Sequence, residues 1–140
     1  MLASTGQSLT DEGDQELPLL VQLPPHMVNF FNEQGYAAST FSENRSHARL
    51  RVRCEAILRS EYIPPFARMR RKPVRVLIND ISRSGISIFV HEQMWPTERF
   101  SVEIHGRFVS ALVVRCRKVA EFCFDVGAMV MEVNSEEEEA

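Results

Sequence analysis

From Leu50 onward apolar residues recur at every second position, and that period constrains the fold of this chain more than any other feature. Leu50, Val52, Cys54, Ala56 and Leu58 alternate with Arg51, Arg53 and Glu55, so an extended strand would turn one apolar face inward and one charged face outward. Val74, Val76 and Ile78 repeat the pattern, then Ile86, Ile88 and Val90, then Phe100, Val102 and Ile104. Residues 107–117 form a longer strand-like run, and Phe122, Phe124, Val126, Ala128 and Val130 alternate with Cys123, Asp125, Gly127, Met129 and Met131. With a hairpin turn at His105-Gly106, six such strands describe an all-β fold, a small six-stranded antiparallel barrel.

The flanking segments read differently. Residues 1–42 form an acidic extension, without apolar periodicity over 1–16 and therefore predicted disordered, ending in a short helix from Pro25 to Gln34. Pro25 suits a first helical turn, Met27, Phe30 and Phe31 recur at helical spacing, and Gly35 ends the segment. Residues 43–132 hold the barrel, with Pro64-Pro65 and the basic run Arg68, Arg70, Arg71, Lys72 marking a loop over 60–72, and residues 133–140 form an acidic tail.

Charge is segregated along the chain. Residues 1–44 carry six acids and no Lys or Arg, a net of −6; residues 45–75 carry ten Lys/Arg against two acids, +8; residues 76–140 carry six against eleven, −5. A basic segment in an otherwise acidic protein points to an anionic ligand at one face. The extension is complementary to it, so one expectation is a salt-sensitive latch between the two. Three cysteines, Cys54, Cys116 and Cys123, lack metal-ligand spacing and suit a reducing, cytoplasmic setting; four scattered histidines give zinc no support. No basic-plus-apolar leader opens the chain and no apolar run nears the ~20 residues of a membrane span.

Two short motifs stand out: Arg45 and Arg49, four apart, and Asp80-x-Ser82-x-x-Gly85 between two strands. A spacing of four puts both guanidinium groups on one side of the chain, helical or extended. Taken singly, the arginines are as well explained as solvated surface residues, and Asp80 with Ser82 as an Asx-turn. Together, in this order and distance, they resemble the signature of the PilZ domain family, small bacterial β-barrels that bind cyclic di-GMP. The resemblance runs from about Glu43 to Glu132. It implies that Arg45 and Arg49 take phosphate and guanine, and that Asp80, Ser82 and Gly85 make the other guanine contacts. Asn44, His47 and Gly127 are candidates for additional contacts; many members have Arg where this chain has Asn44. The chemistry suits such a ligand. A guanidinium fork matches a phosphate or the O6/N7 edge of guanine, and a carboxylate accepts from guanine N–H groups.

The function expected from this resemblance is a cytoplasmic cyclic di-GMP receptor that passes its signal to a downstream protein partner, with no cofactor and no metal. The alternative is a degenerate PilZ-like adaptor that acts by protein contact without nucleotide. A single-stranded nucleic-acid binder would use the basic run on the barrel, but only Tyr62 and Phe66 lie near it as stacking groups. No nucleophile–base set or Walker-type loop points to an enzyme.

Overall fold

A computed structural model of the chain describes residues 17–36 and 49–135; Asn44, Arg45, His47, the 1–16 segment and the 136–140 segment lie outside the described residues. The strands are β1 (Gly35–Tyr36), β2 (Leu50–Tyr62), β3 (Val74–Ile81), β4 (Gly85–Val90), β5 (Arg99–Ile104), β6 (Arg107–Ala120) and β7 (Cys123–Ser135). They pair antiparallel in the order β2-β3-β4-β7-β6-β5, and β5 returns to β2, which closes a six-stranded barrel as the alternation predicts. β1 adds only two residues, pairing with the start of β2 on the side that β5 takes at its far end.

The inward set is the one the period-two pattern selects: Leu58, Val76, Ile78, Ile88, Phe100, Val102, Val113 and Val126 are fully buried in one core. A second cluster lies on the outside of the barrel, where Val21 and Phe30 cover Leu77, Phe89 and Cys123. Leu77 and Phe89 stand opposite each other in the ladder. This strap, residues 17–36, includes the short helical segment, present as two 3₁₀ turns at Pro25–Met27 and Phe30–Asn32. A stretch this short is marginal as a helix, no side chain caps either turn, and only Phe30 of its six turn residues is buried.

Several boundaries differ from the sequence expectation for identifiable reasons. β2 continues through Tyr62 because Ser60 and Tyr62 pair with Phe100 and Arg99, a tertiary contact that the polar sequence does not signal. Phe122 sits in the β6–β7 turn at φ 59, exposed, with its carbonyl accepting from the Gln22 N–H at 2.9 Å; β7 starts one residue later. The His105-Gly106 hairpin is present, both residues at positive φ (51° and 79°), the requirement of a tight primed turn.

The end of the barrel where β3 begins is closed by a buried ion network. The Arg71 guanidinium forks onto Glu98, through Nε to Oε2 and Nη2 to Oε1, and reaches Glu92 Oε2 at 2.8 Å and the Gln93 carbonyl at 3.1 Å. Glu98 also accepts from the Trp95 N–H at 3.0 Å, which holds the Trp95–Glu98 turn and its exposed Thr97 at φ 76. Removing one member of a buried pair strands the other charge, so Arg71→Ala is expected to lower the unfolding free energy by about 3–5 kcal/mol in urea titrations. A loss below about 1 kcal/mol would contradict that role. Thr97→Gly relieves a left-handed β-branched residue and is expected to stabilise by about 1 kcal/mol, read as a raised melting midpoint; a lowered midpoint would contradict the strain.

Candidate functional site

The candidate site lies at the other end of β3. Its last ladder pair is Ile81 with Ile86, after which Ser82 turns the chain. The Ser82 N–H donates to the Gly85 carbonyl at 2.8 Å and the Gly85 N–H to Ser82 Oγ at 3.1 Å, so the serine closes the turn rather than Asp80. The Val130 N–H donates to the Ser84 carbonyl at 2.9 Å, fixing the turn against β7. Gly85 has no positive φ, and a Cβ there would meet the Ala128 carbonyl at 3.4 Å and nothing closer. Backbone conformation therefore gives no reason for glycine at this position.

Asp80 stands just before the turn, past a bulge that leaves Asn79 between the paired residues Ile78 and Asp80. Its Oδ2 accepts from Arg49 Nη2 at 2.6 Å. The cause is register: Leu50 pairs with Ile81 and Arg51 with Asp80, so the residue that precedes β2 arrives beside the end of β3. Arg49 is partly exposed and Asp80 nearly buried. A carboxylate with two oxygens and about four lone-pair directions is not saturated by one guanidinium contact. Arg49, Asp80, Ser82 and Gly85 are thus gathered at one end of the barrel.

Arg53 joins this region to the strap. Its guanidinium lies 4.6 Å from the Phe30 ring centroid, pairs with Glu33 Oε1 at 2.6 Å and donates to the Asn79 carbonyl at 3.4 Å. Gln34 bonds both ways to the Arg53 backbone, at 3.0 and 2.9 Å. Glu33 is the one acid of residues 1–44 among the described residues, and it is paired with the basic segment.

The ladder also brings up residues that carry no motif. Asp80 pairs with Ser87, Ser87 with Gly127 and Gly127 with Arg115, and directly paired residues share a face. Asn79 Nδ2 donates to Ser87 Oγ at 3.2 Å and Ser87 Oγ to Asp125 Oδ1 at 3.2 Å. Asp125 Oδ2 meets Arg117 at 3.1 Å and Arg115 at 3.7 Å. Beside Ser82 the barrel mouth is a cavity of about 490 Å³, walled by Leu50, Ile81, Ile104, Val109 and Val133, with Arg83 and Arg107 at its edge. Positive charge around this site thus comes from β2 and the residue before it, from β6 and from the Ser82–Gly85 turn.

The +8 segment, by contrast, is not one patch. Residues 68–72 precede Val74, six positions from Asp80 and about 20 Å away along β3. Arg71 is consumed by Glu92 and Glu98, and Arg75 bonds the Leu17 carbonyl at 2.9 Å and Glu55 at 3.3 Å. Burial pushes the Cys54, Cys116 and Cys123 thiols above their usual range, which keeps them protonated at neutral pH. Among the described residues no three His, Cys, Asp or Glu side chains group as metal ligands, and no helix is long and apolar enough to cross a membrane.

No family model matches the chain and no curated protein matches it. One similar solved structure is that of the Bacillus subtilis inhibitor of motility (MotI/DgrA), at 12% identity and a TM-score of 0.46, covering 69% of this chain and 46% of that one. The chain spans less than half the length of that protein.

Because nothing in the fold requires glycine at 85, Gly85→Ala is expected to leave unfolding free energy within about 1 kcal/mol of wild type in a urea titration. A larger loss would mean the glycine is structural.

Proposed function

We propose that this chain is a cyclic di-GMP receptor of the PilZ type, a binding module rather than an enzyme, which signals to a protein partner. The observation that carries the reading is the 2.6 Å contact between Arg49 and Asp80, by which the two sequence motifs, thirty-one residues apart, meet at one end of the barrel. In the proposed complex Arg45 and Arg49 supply guanidinium forks to phosphate and guanine, and Asp80 accepts from the guanine Watson–Crick edge. Arg49 exchanges part of its contact with Asp80 for the ligand. Ser82 contributes its hydroxyl, and Gly85 allows the base to approach the backbone. Asn44 and His47 flank Arg45 in sequence and are offered as further contacts.

The magnitudes are sufficient. A bidentate Arg–guanine pair contributes about 1–3 kcal/mol, and micromolar affinity needs roughly 8 kcal/mol. Two arginines, one carboxylate, a hydroxyl and stacking reach that range. For the output, Met129 stands opposite Gly85 in the ladder and is exposed, as are Met131 on the same strand and Val114 on β6. Methionine surfaces repack readily against protein partners, so a ligand seated at Gly85 would alter a surface suited to being read by another protein.

Isothermal titration with cyclic di-GMP tests the reading. Wild type is expected to bind at micromolar affinity or tighter, with Arg45→Ala and Arg49→Ala each weakening it about tenfold or more, since ~1.4 kcal/mol is a decade. Gly85→Ala is expected to weaken binding while the protein stays folded. Equal affinity in wild type and both arginine variants would reject the assignment; no binding at all would leave the adaptor that works by protein contact.

A further inference from the structure

Gly127 is the described glycine at which an added methyl group would come closest to a neighbouring side chain. A Cβ built there would fall 2.8 Å from both Cζ and Nε of Arg115 and 3.1 Å from its Cγ. The Arg115 guanidinium therefore rests on the backbone of β7 at Gly127. The arrangement needs glycine for space, since Gly127 is not at positive φ. Arg115 is anchored at one end only, 3.7 Å from Asp125, and its side chain is 54% exposed. Asp125 is shared with Arg117, whose side chain is 73% exposed, so the pair of arginines keeps a net positive charge.

The position of this group matters because of the row it ends. Asp80, Ser87, Gly127 and Arg115 occupy successive strands on one face. Two interstrand steps separate Asp80 from Gly127, about 10 Å. Between them the floor is Ser87, a small side chain already tied to Asn79 and Asp125. The outer face thus carries a carboxylate and Arg49 on one side and a flat-lying guanidinium on the other, with Ser87 buried between them.

We infer that Arg115, supported by Gly127, is a stacking platform for one guanine of the dinucleotide, a binding residue outside both sequence motifs. The inference rests on the cyclic di-GMP reading above and deepens it. A guanidinium is planar and weakly hydrated, and it stacks on bases where a lysine ammonium offers only a point charge. Gly127 touches no ligand in this arrangement. It is a positioning residue that acts through Arg115.

The test is calorimetry of the full chain with cyclic di-GMP, on wild type and the variants Arg115→Ala, Arg115→Lys, Gly127→Ala and the Arg115→Ala/Gly127→Ala double. Arg115→Ala is expected to weaken binding about tenfold, the loss of one stacked base, with Arg115→Lys recovering little of it. Gly127→Ala is expected to weaken binding similarly but to add nothing in the Arg115→Ala background. In wild type the Arg115 Nε–H resonance should move upfield on saturation, the ring-current mark of a base above it. Wild-type affinity in Arg115→Ala would overturn the platform and leave the dinucleotide reading intact. Full recovery by Arg115→Lys would overturn stacking in favour of simple charge, and an additive Gly127→Ala effect would overturn the positioning role. Absence of binding by wild type would overturn the dinucleotide reading and the platform with it.

Discussion

The site depends on β2, the strand shared by both halves of the barrel. Over thirteen residues it pairs first with β3 and then with β5, bending at irregularities between Arg51 and Cys54 and between Ser60 and Tyr62. Closing the sheet in this way fixes Leu50 opposite Ile81, and the inward faces of Ala56 and Leu58 hold that register through the core. A slip by one residue would turn those side chains outward. The meeting of Arg49 with Asp80 is therefore a consequence of barrel closure and not of any local preference of either segment.

The outer face of the barrel is divided between two kinds of surface. One is apolar and covered: Leu77, Phe89 and Cys123 under Val21 and Phe30. The other is polar and open at its far side, running from Asn79 and Asp80 through Ser87 and Asp125 to Arg115 and Arg117. Arg53 stands at the border, bonded to Phe30 and Glu33 of the strap and to the carbonyl next to Asp80. The strap and the candidate site therefore share a side chain. The Arg71–Glu98 network is placed at the opposite end, where it holds the barrel shut and takes no part in this surface.

Alternation made the barrel legible in the sequence, because an inward face of Val, Ile, Leu and Phe at period two has few other folded forms. The paired motifs and Gly127 marked parts of the candidate site in the sequence. Arg115 and Arg117 were not marked, and the reason lies in the register. Counting back from the Glu121-Phe122 turn would place Arg117 opposite Val126 and Arg115 opposite Ala128, both inward residues. A bulge between Lys118 and Ala120 shifts the pairing, so Arg117 meets Asp125 and Arg115 meets Gly127 on the outer face. No local residue choice announces that shift. Leu77 and Phe89 are apolar residues outside that alternation, on the outer face, and Phe30 of the strap covers them. Charge counting misled in the opposite direction, since segment 45–75 spans both ends of the barrel and Arg71 is neutralised internally.

The central claim is that one end of the barrel, where β2 begins and the Ser82–Gly85 turn lies, receives a doubly anionic guanine dinucleotide. An amide-detected NMR titration of the full chain with cyclic di-GMP tests it most directly, because it locates the contact as well as detecting it. The account expects saturable shifts at Arg49, Asp80, Ser82, Gly85 and Gly127, with Arg71, Glu92 and Glu98 unmoved. Spectra that stay unchanged at millimolar ligand, or shifts confined to the Arg71 end of the barrel, would contradict it.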